Sequence, residues 1–152
     1  MNRTARLALA TAFIGIAAML GSTDASAQYA TTQIDIAAMA PGTALPGFTF
    51  ARTGGGAAGE WRVVADPGAA AQKAIAQTSK DTTDYRFPLA IYESVSAKNV
   101  DVVMRFKAVA GTVDQAGGIA VRLTTPDDYY VVRANALEDN VRFYRVVKGR
   151  RE

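Results

Sequence analysis

The fold of this chain is decided by three neighbouring runs: Gly118-Ile119-Ala120-Val121-Arg122-Leu123-Thr124, Tyr129-Tyr130-Val131-Val132-Arg133-Ala134 and Val141-Arg142-Phe143-Tyr144-Arg145-Val146-Val147. Each run is rich in β-branched and aromatic residues and alternates between two kinds of side chain, as strands with two different faces do. Two groups of turn-forming residues, Thr125-Pro126-Asp127-Asp128 and Glu138-Asp139-Asn140, separate the runs. The stretch therefore predicts an antiparallel meander.

The β-type pattern extends upstream to about residue 47. Five further strands are expected at residues 47–52, 60–65, 73–78, 87–93 and 100–108. No helical repeat of 10 to 15 residues lies between them, so the parallel connections of α/β folds are not expected. The sequence predicts an all-β fold built from antiparallel strands.

Alternation divides the side chains of these strands between an apolar face and a cationic face. We expect the apolar face to be buried against a second sheet, which gives an antiparallel β-sandwich, because no helix is available to cover it. The apolar set of the three quoted runs is Ile119, Val121, Leu123, Tyr130, Val132, Ala134, Val141 and Phe143. The cationic face, expected to point outward, carries Arg105, Lys107, Arg122, Tyr129, Arg133, Arg142 and Tyr144.

The first 27 residues have the pattern of a secretory signal peptide. Arg3 and Arg6 precede an apolar run over residues 7–20, and Ala25-Ser26-Ala27 provides the small residues of a cleavage site. We expect a signal-peptide helix cleaved after Ala27, a bacterial periplasmic or secreted location, and no membrane association after cleavage. Residues 28–46 are predicted to be a flexible leader, and residues 47–152 a single domain.

Composition excludes several classes of site. The chain has no cysteine and no histidine, so disulfides, thiol nucleophiles, most hydrolytic triads and zinc sites are excluded. Cleavage after Ala27 removes two of the 17 basic and one of the 14 acidic residues, which leaves a net charge of +2. So small an excess does not indicate a nucleic-acid partner. We expect no cofactor, with calcium as the alternative, since adjacent turns offer the oxygen ligands Asp127, Asp128, Asp139 and Asn140 without the spacing of an EF-hand.

Four stretches together resemble a known family. They are Glu60-Trp61-Arg62-Val63-Val64-Ala65-Asp66, Gly117-Gly118-Ile119-Ala120-Val121-Arg122, Asp128-Tyr129-Tyr130-Val131-Val132-Arg133-Ala134-Asn135 and Asn140-Val141-Arg142-Phe143-Tyr144-Arg145-Val146. Over about residues 47–152 the chain resembles the concanavalin A-like jelly-roll domains grouped as 3-keto-disaccharide hydrolase-like. The resemblance implies a lectin-like or glucanase-like sandwich and a saccharide ligand.

Domains of that family normally have several further strands after the turn that we expect at Lys148-Gly149. We therefore expect that C-terminal strands are missing and that Arg150 opens a strand which does not continue. A sheet edge left bare in this way would favour self-association. The alternative is a small, complete sandwich with a basic tail.

Three functional hypotheses follow. The first is an exported saccharide-binding jelly-roll domain whose ligand contacts residues of the cationic face, although a solvated outer face would show the same alternation. The second is a glycoside hydrolase-like enzyme acting on 3-keto-disaccharides. No strand carries the paired acids of a sandwich glycanase, which leaves Glu93 or Asp101 as the candidate catalytic carboxyl. The third is a cell-envelope interaction protein that recruits a partner by strand addition. The candidate ligand-binding residues are Arg105, Arg122, Tyr129, Arg133, Arg142 and Tyr144.

Overall fold

The computed structural model describes residues 30–152, and these residues form an all-β protein with one short 3-10 helix at Ile36–Ala38. No helix within them is long and apolar enough to cross a membrane. The predicted signal peptide at residues 1–27 and its cleavage after Ala27 lie outside the described residues. The eight strands are β1 (Phe48–Gly54), β2 (Trp61–Ala65), β3 (Lys73–Gln77), β4 (Arg86–Tyr92), β5 (Ala116–Thr125), β6 (Asp128–Asn135), β7 (Asn140–Val147) and β8 (Arg150–Arg151).

The strands pair in antiparallel fashion throughout, as predicted. β1 pairs with β4 and β2 with β3, and the remaining strands form a four-stranded sheet in the order β5-β6-β7-β8. The meander predicted from the three quoted runs is β5, β6 and β7. An all-β chain arranged in antiparallel sheets is consistent with a β-sandwich.

Turn chemistry sets the ends of these strands. Lys148 and Gly149 both have positive φ, 48° and 75°, and form the two-residue turn that joins β7 to β8. Arg150 does open a strand, as expected. Within β5, Arg122 also has a positive φ of 53°, where the register with β6 shifts between Val121 and Thr125. A β-bulge of this kind turns the following side chains out of the regular alternation.

One expected strand does not form. Residues 101–110 contain no strand, although residues 100–108 alternate as a strand should. The prediction was wrong because alternation shows only that a segment is suited to a sheet, whereas a strand also needs a backbone partner. We call residues 100–108 the strap.

Apart from the bulge at Arg122, the two faces of the large sheet carry the residue sets that alternation predicted. Ile119, Val132 and Phe143 lie opposite one another across three strands, and so do Gly118, Arg133 and Arg142. Burial, however, is the reverse of the expectation. Val141 and Phe143 of the apolar set are 71% and 64% exposed, whereas Tyr129 is 4% exposed. We call the side with Tyr129 and Arg133 the core face and the side with Val132 and Phe143 the open face.

The reversal has a physical explanation in the core itself. Its most buried apolar residues are Leu45, Val63, Tyr129 and Val146, and Thr53 of β1 lies against Tyr129. Tyrosine supplies a large apolar ring, and its hydroxyl finds a hydrogen-bond partner inside, so a face with aromatic and polar residues can be buried. Alternation identifies which residues share a face and does not identify which face is covered.

Residues 35–45, within the predicted leader, contact the strands. The Nζ atom of Lys73 donates to the carbonyls of Ala37 and Met39 at 2.8 and 2.9 Å. The amide of Gly42 donates to the Val63 carbonyl at 2.9 Å. These bonds place Leu45 in the core.

Candidate functional site

The structure separates the six predicted ligand-binding residues into groups. Arg133 and Arg142 are directly opposite on β6 and β7, and Tyr144 follows on the same face. Arg105 lies exposed in the strap. Arg122, redirected by its bulge, lines a cavity with Tyr130 and Phe143 of the open face. The core face therefore brings together only part of the predicted set.

Tyr129 shares that face but is buried in the core. Its hydroxyl lies 2.8 Å from Oγ1 of Thr53, which in turn donates to the Pro126 carbonyl at 2.6 Å. Burial raises the pKa of the Tyr129 hydroxyl above its usual value. With 4% of its surface exposed, Tyr129 holds β6 against β1 and offers no ring face to solvent.

Arg133 lies at the centre of a polar network, which we call the Arg133 cluster: Arg133, Asp114, Asn135, Glu138 and Asn140. Its Nη2 donates to Glu138 Oε2 at 2.5 Å and to Asn140 Oδ1 at 3.4 Å, and its Nη1 lies 3.4 Å from Asp114 Oδ1. The Arg133 side chain is 11% exposed. A guanidinium buried to this extent requires charge partners, and the two carboxylates supply them.

The two asparagines fix the carboxylates in place. Asn135 donates to Asp114 Oδ1 at 2.5 Å, and its own Oδ1 accepts the Leu137 amide at 3.0 Å. Asn140 donates to Glu138 Oε2 at 3.0 Å. Asn135 and Asn140 stand opposite each other at the end of the β6–β7 pair, so the turn between these strands builds the cluster.

Glu138 is held in its ionised form. The hydrogen bond from Asn140 is the largest cause that lowers the pKa of its carboxyl, followed by the hydrogen bond from Arg133. The positive charge of Arg142 acts in the same direction. The side chains of Asp114 and Glu138 remain partly exposed, so their oxygens are free to accept further hydrogen bonds. The Nε atom of Arg133 is buried and has no hydrogen-bond partner within the described part of the chain.

Tyr144 connects this cluster to a group of aromatic rings. The Arg133 guanidinium lies 5.9 Å from the centre of its ring. On β8, Arg151 lies 5.1 Å from the same ring, 5.3 Å from Tyr85 and 4.5 Å from Phe87. Tyr85 is anchored by its hydroxyl, which donates to the Gly149 carbonyl and accepts the Arg151 amide, each at 3.1 Å. Cationic and aromatic groups thus alternate along this side of the sheet.

The structure does not bring the two candidate catalytic carboxyls into one group. Glu93 follows β4 and accepts a hydrogen bond from the Thr49 hydroxyl. Asp101 lies exposed in the strap. The described contacts of these two residues give no pairing of acid and base.

Two of the turn residues considered for calcium, Asp128 and Asn140, already accept hydrogen bonds within the protein. Asp128 accepts the Lys148 amide at 3.1 Å and the Thr125 hydroxyl at 2.8 Å, and the first of these bonds is the largest cause that lowers its pKa. Asp139 occupies the β6–β7 turn with a φ of 48°. Among residues 30–152, no group of three or more acidic residues is arranged to hold a metal ion.

Sequence reasoning missed most of the Arg133 cluster. Glu138 looked like an ordinary turn acid, and Asp114 lies in a loop without any recognisable motif. One signal in the sequence was available. Asn135 and Asn140 lie at the two ends of the β6–β7 turn, and the strand pairing that this turn sets places them opposite each other.

Comparisons with protein-family models, with curated proteins and with solved structures give no match for this chain.

Proposed function

We propose that the protein is an exported saccharide-binding domain of the jelly-roll type, with the ligand seated over the Arg133 cluster beside Tyr144. The observation that carries this proposal is the pair of partly exposed carboxylates, Asp114 and Glu138, held by one buried arginine next to an aromatic ring. Export to the periplasm or the medium, proposed from the signal-peptide pattern, would place the domain among soluble and cell-wall saccharides.

The chemistry of the cluster suits sugar hydroxyls. Ionised carboxylates and amide oxygens accept hydrogen bonds from hydroxyl groups, and charge-assisted bonds of this type are the stronger ones. The Arg133 and asparagine contacts hold Asp114 and Glu138 in one orientation, so binding would order few additional groups. Preorganised polar groups beside an apolar surface are the usual composition of a small-molecule site.

Tyr144 and Arg142 complete the proposed site. The ring of Tyr144 is half-buried, with the guanidinium groups of Arg133 and Arg151 over it, and its exposed part would contact the C–H groups of a sugar ring. Arg142 is exposed opposite Arg133 and offers donors for ligand oxygens. Of the six residues predicted from the sequence, this proposal keeps Arg133, Arg142 and Tyr144 near the ligand.

The lowered pKa of Glu138 argues against one catalytic role for this residue, that of the general acid in glycoside hydrolysis. A general acid in a glycosidase needs a carboxyl whose pKa is raised, so that it carries a proton near neutral pH. The pKa of Glu138 is shifted in the opposite direction, by Asn140 and Arg133. The carboxyl is therefore suited to accept hydrogen bonds from a ligand.

The experiment is a titration of the purified protein with neutral and acidic oligosaccharides, followed by calorimetry and by the midpoint of thermal unfolding. We expect one sugar class to bind and to raise the midpoint, because a ligand of the folded state stabilises it. Glu138→Gln should weaken binding at least tenfold, since it removes the charge while keeping the shape of the side chain. The control is Glu60→Gln, which alters an exposed carboxylate paired with Arg62 on β2.

Two results would contradict the proposal. One is a cooperative unfolding transition that no member of the sugar panel shifts. The other is a Glu138→Gln variant that unfolds like the wild type and binds the sugar with equal affinity. Release of a reducing sugar by the wild type would instead support the hydrolase hypothesis.

A further inference from the structure

The outer edge of β5 has no strand beside it in the described structure. β5 is the first strand of the β5-β6-β7-β8 sheet and pairs only with β6. The strap, residues 100–108, has the alternation of a strand and is not paired. Unpaired strand edges are sites where further strands add.

The hydrogen-bond pattern shows which backbone groups of β5 face outward. The Gln115 carbonyl accepts the Ala136 amide at 3.0 Å, so Gln115 faces β6. At the other edge of the sheet, Arg145 and Glu152 exchange both backbone hydrogen bonds, at 3.2 and 2.8 Å. Counting from this pair across β7 and β6 also makes Gln115 direct its backbone groups toward β6. Because antiparallel pairing alternates residue by residue, Gly118 and Ala120 direct their amides and carbonyls toward the open edge.

The strap already lies along β5. A Cβ atom added at Gly117 would meet the Phe106 ring at 2.7 Å, so the ring covers this glycine on the open face. Val100 and Val102 line a cavity of about 270 Å³ together with Ile119 and Val121. The order of these contacts means that the strap and β5 run in opposite directions.

These contacts agree with one antiparallel register. With Phe106 opposite Gly117, Met104 falls opposite Ile119 and Val102 opposite Val121. The apolar residues Val102 and Met104 of the strap thus lie opposite the apolar residues Val121 and Ile119 of β5. A large aromatic side chain across from a strand glycine also compensates for the packing that glycine lacks.

The far end of the strap is attached to the segment that follows β2. Lys107 Nζ lies 2.7 Å from Asp66 Oδ2, directly after β2. Phe106 contacts β5, so two neighbouring residues of the strap are attached to two different segments of the chain.

We propose that residues 102–106 close onto β5 as a fifth strand of the large sheet, in the register that places Phe106 opposite Gly117. The backbones of Arg105 and Val103 then pair with those of Gly118 and Ala120. Closure gives the outward-facing backbone groups of β5 hydrogen-bond partners from the same chain. It also removes the edge that a strand from another molecule would need for addition.

The test uses the absence of cysteine from the chain. Met104 and Ile119 form a non-hydrogen-bonded pair in the proposed register, which is the pair type with the closest side chains. We expect Met104→Cys with Ile119→Cys to form an intramolecular disulfide under mild oxidation. The matched control, Val103→Cys with Ile119→Cys, is one residue out of register and should cross-link at least tenfold more slowly.

A second measurement needs no substitution. In the wild-type chain, hydrogen exchange at the amides of Gly118 and Ala120 should be at least 100-fold slower than at the exposed residue Val109. Exchange at Gly118 and Ala120 as fast as at Val109 would overturn the proposal. So would equal cross-linking of the control pair, or a disulfide that joins two molecules, which would show that the edge takes a strand from a second copy.

Discussion

Tyr129 donates its hydroxyl hydrogen to Oγ1 of Thr53 across 2.8 Å, and this bond joins β6 to β1 inside the core. The direction follows from the second contact of Thr53, which uses its own hydroxyl hydrogen on the Pro126 carbonyl at 2.6 Å. A single threonine hydroxyl therefore satisfies both the tyrosine and the turn after β5.

Two substitutions at this contact should have unequal costs. Thr53→Val removes the shared hydroxyl and leaves both the Tyr129 hydroxyl and the Pro126 carbonyl without this hydrogen-bond partner. We therefore expect a loss of about 2 to 3 kcal/mol in the free energy of unfolding. Tyr129→Phe leaves the bond from Thr53 to Pro126 intact and should cost about 1 kcal/mol. Urea unfolding of both variants measures the difference. The reverse order would show that Thr53 is not the central group.

The same burial predicts a loss of stability at high pH. Because the pKa of Tyr129 is raised in the folded state, its contribution is complete below the unfolded-state value of about 10 and is lost as the pH rises through the folded-state value. We expect the wild type to lose stability more steeply than Tyr129→Phe above about pH 10. Unfolding in urea at pH 8 and at pH 11 tests this expectation. Parallel losses in the two proteins would contradict it.

Asp81 predicts the opposite dependence at low pH. Its carboxylate accepts bonds from the Thr83 hydroxyl and from the Ala57 amide, both at 2.6 Å, and the Thr83 bond is the largest cause of a strongly lowered pKa. Stability linked to a lowered pKa is present above the unfolded-state value, near 4, and is lost as the pH falls through the folded-state value.

Asp81→Asn should therefore be less stable than the wild type at pH 7, and the difference should shrink below about pH 4. The measurement is the unfolding midpoint across this pH range. Asp139→Asn is the matched control, because asparagine also tolerates the positive φ of that exposed turn. A constant difference between Asp81→Asn and the wild type at every pH would show that the carboxylate charge plays no part.

The burial of the core face can be tested on one strand. Val146 and Val141 both lie on β7, but Val146 is 2% exposed and Val141 is 71% exposed. We expect Val146→Ala to cost about 2 kcal/mol through the cavity it leaves, and Val141→Ala about 0.5 kcal/mol or less. Equal costs in denaturant unfolding would mean that the open face is covered in solution.

The sequence predicted the strands because their signals are local. Alternation, β-branched residues and explicit turns placed seven strands within two residues of their observed ends, and Lys148-Gly149 formed the expected turn. The same signals placed Tyr129, Arg133 and Tyr144 on one face. They could not reveal the Arg133 cluster, because Asp114 reaches it from a loop 19 residues away in the chain.

By itself, the sequence determined the all-β class, the antiparallel meander and the assignment of side chains to two faces, since each depends on the period of two along a strand. Only the tertiary structure decided that the face with Tyr129 is covered and that Arg133 is paired with Asp114 and Glu138. These outcomes depend on which distant segments of the chain meet. Local patterning assigns polar groups to solvent, but a partner such as Thr53 for Tyr129 compensates the cost of burying them.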